Sequence, residues 1–150
     1  MIKTQRLALF FVVLISGCSS LPKVEHKVYR FPPANAFVES PPAGKQYTVL
    51  GWVRAKTPFV TMDPDTNLKA LCANYYNKAV ASLLVEAKKA GGDAVAEIRS
   101  VTFLLNGKVE EHVTPECSDD GGEGEILVRG VAIRYKVAPL PAPRPKKVTQ

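Results

Sequence analysis

The densest set of chemistry-bearing side chains in this 150-residue chain is Glu110, Glu111, His112, Glu116, Asp119, Asp120, Glu123 and Glu125, with Cys117 and Gly121-Gly122 among them. Half of the chain's 14 acidic residues fall in this one stretch. A hard cation needs about six to eight converging oxygens, and a softer metal would recruit His112 and Cys117. A metal site built on His112, Glu116, Asp119 and Asp120 is therefore one expectation. The spacing matches no EF-hand loop, Cys-x-x-Cys pair or His-Glu-x-x-His helix, so a solvated acidic rim on a loop is the competing one. Catalysis has less to stand on. The chain holds no Gly-x-Ser-x-Gly, Walker loop or dinucleotide fingerprint. His112 has no nucleophile at a fixed offset, and Glu86 and Glu97 have no evident partner for general acid–base work. No catalytic residue and no cofactor are expected.

A third thiol, Cys18, ends a different kind of pattern. Met1 to Arg6 is short and positive, Leu7 to Ile15 is apolar throughout, and Ser16-Gly17 are small residues beside a potential scissile bond. The segment resembles a bacterial lipoprotein signal with Leu14-Ile15-Ser16-Gly17-Cys18 as its lipobox. That resemblance implies cleavage after residue 17, a diacylglycerol thioether on the Cys18 sulfur and an acyl group on its amine. An apolar run of about nine residues is far short of the roughly 20 needed to span a bilayer, and a soluble-secretion signal gives no reason for a cysteine directly after Gly17. Each buried methylene contributes about 0.8 kcal/mol, so several chains on one residue make a lasting anchor where one chain would not. Ser19 follows the cysteine in place of Asp. By resemblance to sorting in Gram-negative envelopes, this implies the outer membrane, with the domain facing the periplasm.

Export constrains the rest. Loss of Lys3 and Arg6 with the leader lowers the formal charge from +6 to +4. An exported chain with no RNA- or DNA-binding motif is not expected to meet nucleic acid, and its mild basicity suits lipid headgroups or anionic glycans. Cys72 and Cys117 would sit in an oxidising compartment where thiols pair. One bridge closing about 45 residues would contribute roughly 3–4 kcal/mol on the chain-entropy model; two buried or free thiols are the alternative.

The elements that must position these groups follow from periodicity. Residues 18–45 are polar and proline-rich and read as a tether from the acylated cysteine, unless Phe31 and Phe37 pack onto the domain as a strap. Gln46 to Arg54 alternates as a strand covered on both faces, Val49, Gly51 and Val53 opposing Leu50 and Trp52, with Gly51 suggesting a bulge. Thr57 to Met62 reads as a loop. Asp63-Pro64 reads as an N-cap and first helical residue. Apolar residues at helical spacing then run to Ala90, with Lys69, Asn74 and Lys78 on the wet side and Gly91-Gly92 as the stop. Asp93 to Leu105 is a strand, Asn106-Gly107 a hairpin turn, Lys108 to Val113 the return, Thr114 to Gly124 a loop, and Glu125 to Val137 a last strand. The expected fold is α+β: a two-layer sandwich with one long helix on a four-stranded sheet, in the order β-α-β-β-β, over residues 46–137. Trp52, Tyr75 and Tyr76 fit its core better than a ligand pocket. Residues 138–150 form a basic proline-rich tail, where Arg144, Lys146 and Lys147 are the candidate partner contacts.

The first strand Tyr47-Thr48-Val49-Leu50-Gly51-Trp52-Val53, the step Ala90-Gly91-Gly92-Asp93-Ala94-Val95 and the final-strand motif Arg129-Gly130-Val131-Ala132-Ile133 together resemble the small bacterial YbjQ family. They are similar, more distantly, to the outer-membrane lipoprotein that senses envelope damage for the Rcs phosphorelay. The resemblance covers about residues 47–137. It implies this α+β fold and either a structural or stress-sensing module that meets an envelope protein or peptidoglycan, or a metal- or small-ligand-binding domain that forms homo-oligomers. The YbjQ group is mostly cytoplasmic and lacks a lipobox, and the Rcs sensor carries two disulfides; this chain departs from both. Cys18→Ala should abolish palmitate labelling and leave the chain as its precursor, because only a thiol there takes the diacylglycerol; unchanged labelling would reject the lipobox.

Overall fold

The computed structural model describes residues 24–32, 34–62 and 67–136. The leader, Cys18, Asp63-Pro64 and the tail with Arg144, Lys146 and Lys147 lie outside that set. Helix α1 (Leu68–Lys89) buries Leu71, Tyr76, Ala79, Val80, Leu83 and Ala87 along one stripe. Its N-cap is Asn67, whose side-chain oxygen accepts from the Ala70 N–H at 3.1 Å, so the cap falls later than the expected Asp63. At the other end Gly91 N–H donates to Lys88 O at 2.9 Å and Gly92 N–H to Ala87 O at 2.8 Å. That paired closure needs a left-handed residue, and Gly91 supplies it at φ 81°.

Five strands follow the chain as β1 (Tyr47–Val60), β2 (Ala94–Phe103), β3 (Val109–His112), β4 (Ser118–Asp119) and β5 (Glu123–Tyr135), with α1 between β1 and β2. They form one antiparallel sheet in the order β1-β5-β2-β3, with β4 also paired to β5. The α+β class stands, with five strands in place of four. Strand β4 is only two residues long, too short to show a period. The expected loop at Thr57–Met62 is instead mostly strand, because Pro58, Phe59 and Val60 pair with Glu125, Gly124 and Glu123. Pro58 is tolerated there because β1 is an edge strand.

Helix α1 covers one face of the sheet. Val80 and Leu83 meet Val95, Ile98, Ile126 and Val128 in a core of fully buried side chains. Close approach depends on Gly130: a Cβ there would lie 2.5 Å from Val95 Cγ1, 3.1 Å from Ala96 O and 3.3 Å from Leu83 Cδ2. The register slips at Gly51, as its place in the strand suggested, and again between Ala96 and Arg99, where Glu97 takes φ 53°. The first slip corrects the expected face assignment. Val49 and Trp52 pair with Ile133 and Val131, so they share the face away from α1.

The segment before β1 is a strap rather than a free tether across its described residues. Tyr29 N–H donates to Asn74 Oδ1 at 2.6 Å, Asn74 Nδ2 donates to Lys27 O at 2.8 Å, and Asn77 Nδ2 donates to Tyr29 O at 3.0 Å. Asn74, expected on the wet side, is the strap's main polar partner. Phe31 stacks on Tyr76 with ring centroids 6.2 Å apart. Ala36 then bridges Val95 in parallel, and Phe37 N–H donates to Val95 O at 2.9 Å, capping the β2 edge beside β3. Phe37 also covers Ala94, Ala96, Val131 and Ile133 on the far side of the sheet.

Cys72 and Cys117 are bonded, their Cα atoms 5.9 Å apart, and tie the first turns of α1 to the loop ahead of β4. Gly130→Ala should destabilise the domain by roughly 1–3 kcal/mol through overpacking, read as a lowered urea midpoint at unchanged slope.

Candidate functional site

Side chains alternate along β5, so that Ile126 and Val128 enter the helix-side core while Leu127, Arg129 and Val131 point the other way. Past the patch under Phe37, no helix among the described residues covers that second face. Its exposed apolar residues are large: Val49 is 59 %, Trp52 55 %, Phe103 61 % and Val109 53 % exposed. The register lines up three cations across it, with Arg54 on β1 and Arg99 on β2 both opposite Arg129 on β5. Like charges directly opposed in a ladder oppose pairing.

The three arginines are engaged unequally. Arg99 is drawn to the sheet edge, donating to Val38 O and, at 2.9 Å, to Ile98 O, with Glu39 at 3.8 Å. Arg129 donates to Glu111 Oε2 on β3, and its guanidinium carbon lies 4.3 Å from the centre of the Trp52 ring. Its Nε–H is buried with no acceptor. Among the described residues no carboxylate forms an ion pair with Arg54, which is exposed. Between the strands lies a cavity of about 140 Å³, walled by Val101, Phe103, Val109 and Leu127 and flanked by Arg54, Glu111 and Arg129. A planar cation stacked on an indole, a second cation beside it and an apolar slot make a surface suited to a carboxylate or phosphate attached to an apolar group.

The residues proposed for metal are not brought together. His112 Nε2 lies 3.0 Å from Thr102 Oγ1 in the β2–β3 pair. Glu116 N–H donates to Ser100 Oγ at 3.2 Å. Asp119 Oδ1 accepts from Thr61 Oγ1 at 2.9 Å and from Gly121 N–H at 2.8 Å. Asp120 Oδ1 accepts from Glu123 N–H at 2.8 Å and Gly122 N–H at 3.0 Å, and those backbone donors hold its carboxyl below the usual range. Cys117 is spent in the disulfide. Among the described residues no three His, Cys, Asp or Glu side chains are grouped to hold an ion. These acids build a tight turn and its rim.

Trp52 lies at the surface, where the sequence placed it in the core; the bulge at Gly51 moves it there. Tyr75 and Tyr76 are internal as expected. Tyr75 stacks on Phe59 with centroids 4.8 Å apart, and burial pushes the Tyr76 hydroxyl above its ordinary pKa. Beside the disulfide a second cavity, of about 440 Å³, is lined by Phe59, Leu68, Cys72, Pro115, Cys117 and the polar groups Lys69, Glu116 and Asp119. The Arg54–Arg129 juxtaposition escaped the sequence reading, since it depends on which residues of three strands share a row. The only signal for it was an arginine at an outward position of both edge-to-centre strands.

No family model and no curated protein matches the chain. Among solved structures, the chain is similar to a protein of unknown function of the DUF74 family from Pediococcus pentosaceus. The match has 15 % identity and a TM-score of 0.47, covering 67 % of this chain and 96 % of that one.

If the opposed arginines strain the ladder, Arg54→Glu should stabilise the domain by about 0.2–1 kcal/mol, since an opposite-charge pair replaces a like-charge one. Chemical denaturation checks the sign; a lowered midpoint would show that Arg54 supports the fold.

Proposed function

We propose that the protein is a non-enzymatic, lipid-anchored module of the bacterial cell envelope, held at the outer membrane through Cys18, that recognises another envelope component with the open face of its sheet. The observation that carries this reading is the Trp52–Arg129–Arg54 surface. It combines exposed aromatic and aliphatic area with a cation that has no ion-pair partner among the described residues and another stacked on an indole. Aromatic residues and arginine are the side chains most enriched at recognition hot spots. The docked strap supports the anchor arrangement. Five residues separate Cys18 from Val24, the first described residue, and the stretch from one to the other spans at most about 20 Å. The domain would stand close to the bilayer surface.

The basic tail would add a second contact. Strand β5 runs 13 residues from Glu123 to Tyr135, about 40 Å at the usual rise, and the tail with Arg144, Lys146 and Lys147 continues from its far end. An anionic polymer such as peptidoglycan, or an acidic protein surface, would suit such a tail. A small-ligand reading is favoured by one observation, the cavity of about 440 Å³ beside the disulfide, whose size falls among ligand pockets. Among the described residues no helix is long and apolar enough to cross a membrane.

A photo-crosslinking residue at Val49 in the full chain in cells should yield adducts of discrete mass, while the same residue at Lys88 on the helix should not. Arg54→Glu should cut the Val49 yield about tenfold, as losing one partner of a charge contact does, even though it stabilises the domain. A properly localised chain giving no adduct at Val49 would overturn the reading.

A further inference from the structure

The β2–β3 hairpin ends in an apolar tip that is largely exposed among the described residues, its flanking Phe103 and Val109 also walling the cavity beside Arg54. Phe103 is 61 % exposed, Val109 53 % and Leu104 37 %, and Leu105 is fully exposed. The turn is nonetheless closed by hydrogen bonds. Leu104 N–H donates to Lys108 O at 2.8 Å, Gly107 N–H to Leu104 O at 2.9 Å, and Lys108 N–H to Asn106 Oδ1 at 2.9 Å. A turn held by three hydrogen bonds while presenting leucine to water is preorganised for an apolar surface.

Its position indicates which surface. Strand β2 leaves β5 after the Val101–Leu127 pair and runs on antiparallel to it, so the tip lies at the end of the sheet where β5 begins. The strap starts at the same end: His26 Nδ1 lies 3.1 Å from Tyr75 Oη, Tyr75 stacks on Phe59, and Phe59 pairs with Gly124. The strap then follows the same lateral side, reaching the β2 edge at Ala36. Only five residues join Cys18 to Val24, a span of at most about 20 Å.

We propose that the hairpin tip Phe103–Val109 dips into the headgroup layer of the membrane that holds Cys18, as a second point of contact that orients the domain and leaves its Trp52–Arg54 face turned sideways to partners. This rests on the anchor reading above. The tip carries one cation, Lys108, whereas Glu110, Glu116, Asp119, Asp120 and Glu123 crowd the same end. The fitting surface is therefore a zwitterionic one, and anionic lipid should repel the tip at low salt.

The test uses the full acylated chain in phosphatidylcholine vesicles, with Trp52→Phe removing the chain's single tryptophan and Leu105→Trp placing a reporter at the tip. Leu105 has no packing to lose, and Val109→Trp serves as a second reporter. The expected result is a blue-shifted reporter, quenched by bromine on the upper acyl carbons and shielded about threefold or more from acrylamide, as for side chains seated at the acyl boundary. Adding phosphatidylglycerol at low salt should reverse the shift in part. Equal acrylamide quenching with and without lipid overturns the proposal. So does shielding before lipid is added, which would make the tip a contact between copies, and so does stronger insertion into anionic lipid. Palmitate labelling of Cys18 is scored on the same preparation, so loss of the anchor reading shows as absent label and loss of the tip contact as a labelled chain with a quenchable reporter.

Discussion

Strand β5 pairs with three other strands, and the alternation of its side chains sets the character of both faces of the molecule. On one side Ile126, Val128, Gly130 and Ala132 form a low surface against which Leu83 and Val80 of α1 can settle. On the other, Leu127 and Arg129 face solvent between two flanking strands. A slip of one residue in its pairing would exchange the two sets, burying Arg129 under the helix, so the hydrophobic cost of misregister protects the open face as well as the core.

The edges of this sheet are managed by different means. β1 carries Pro58, a residue that discourages pairing with another chain, while Lys56 forms an ion pair inward with Glu125 of β5. The β2 edge is shared between β3 and the strap, with the bulge at Glu97 marking where one gives way to the other. The strap thus has two roles in one segment. It satisfies backbone groups of β2 through Asn35, Phe37 and Glu39, and it docks along α1 through Asn74 and Asn77. The disulfide adds a covalent tie where the sheet is thinnest, at the loop returning to two-residue β4.

Stability and recognition pull in different directions on the open face. A row holding Arg54, Arg129 and Arg99 is not what pairing alone would select. Partial relief comes from Glu111, from the Trp52 ring and from the strap carbonyl at Val38, which together disperse the charge. A carboxylate or phosphate from outside would complete that compensation, the electrostatic basis of the recognition proposed for this face.

Local chemistry was legible directly. The apolar stripe of α1, its closure at Gly91-Gly92, the Asn106-Gly107 turn and the bulge at Gly51 all follow from residue type and short-range spacing, because each is decided within a few residues. The pairing of Cys72 with Cys117, 45 residues apart, was one of two alternatives until the fold brought the two together. Register and non-local partnership were not legible. The extension of β1 through Pro58, the docking of residues 24–39 on α1 and β2, the dispersal of His112, Glu116, Asp119 and Asp120 into separate hydrogen bonds, and the meeting of Arg54 with Arg129 depend on contacts between residues tens of positions apart. A charge cluster read along the chain says how many carboxylates are near one another in sequence. Whether their oxygens converge on one point or turn to the nearest backbone N–H is decided by the backbone path, and here the tight turn at Gly121-Gly122 offered the N–H groups first.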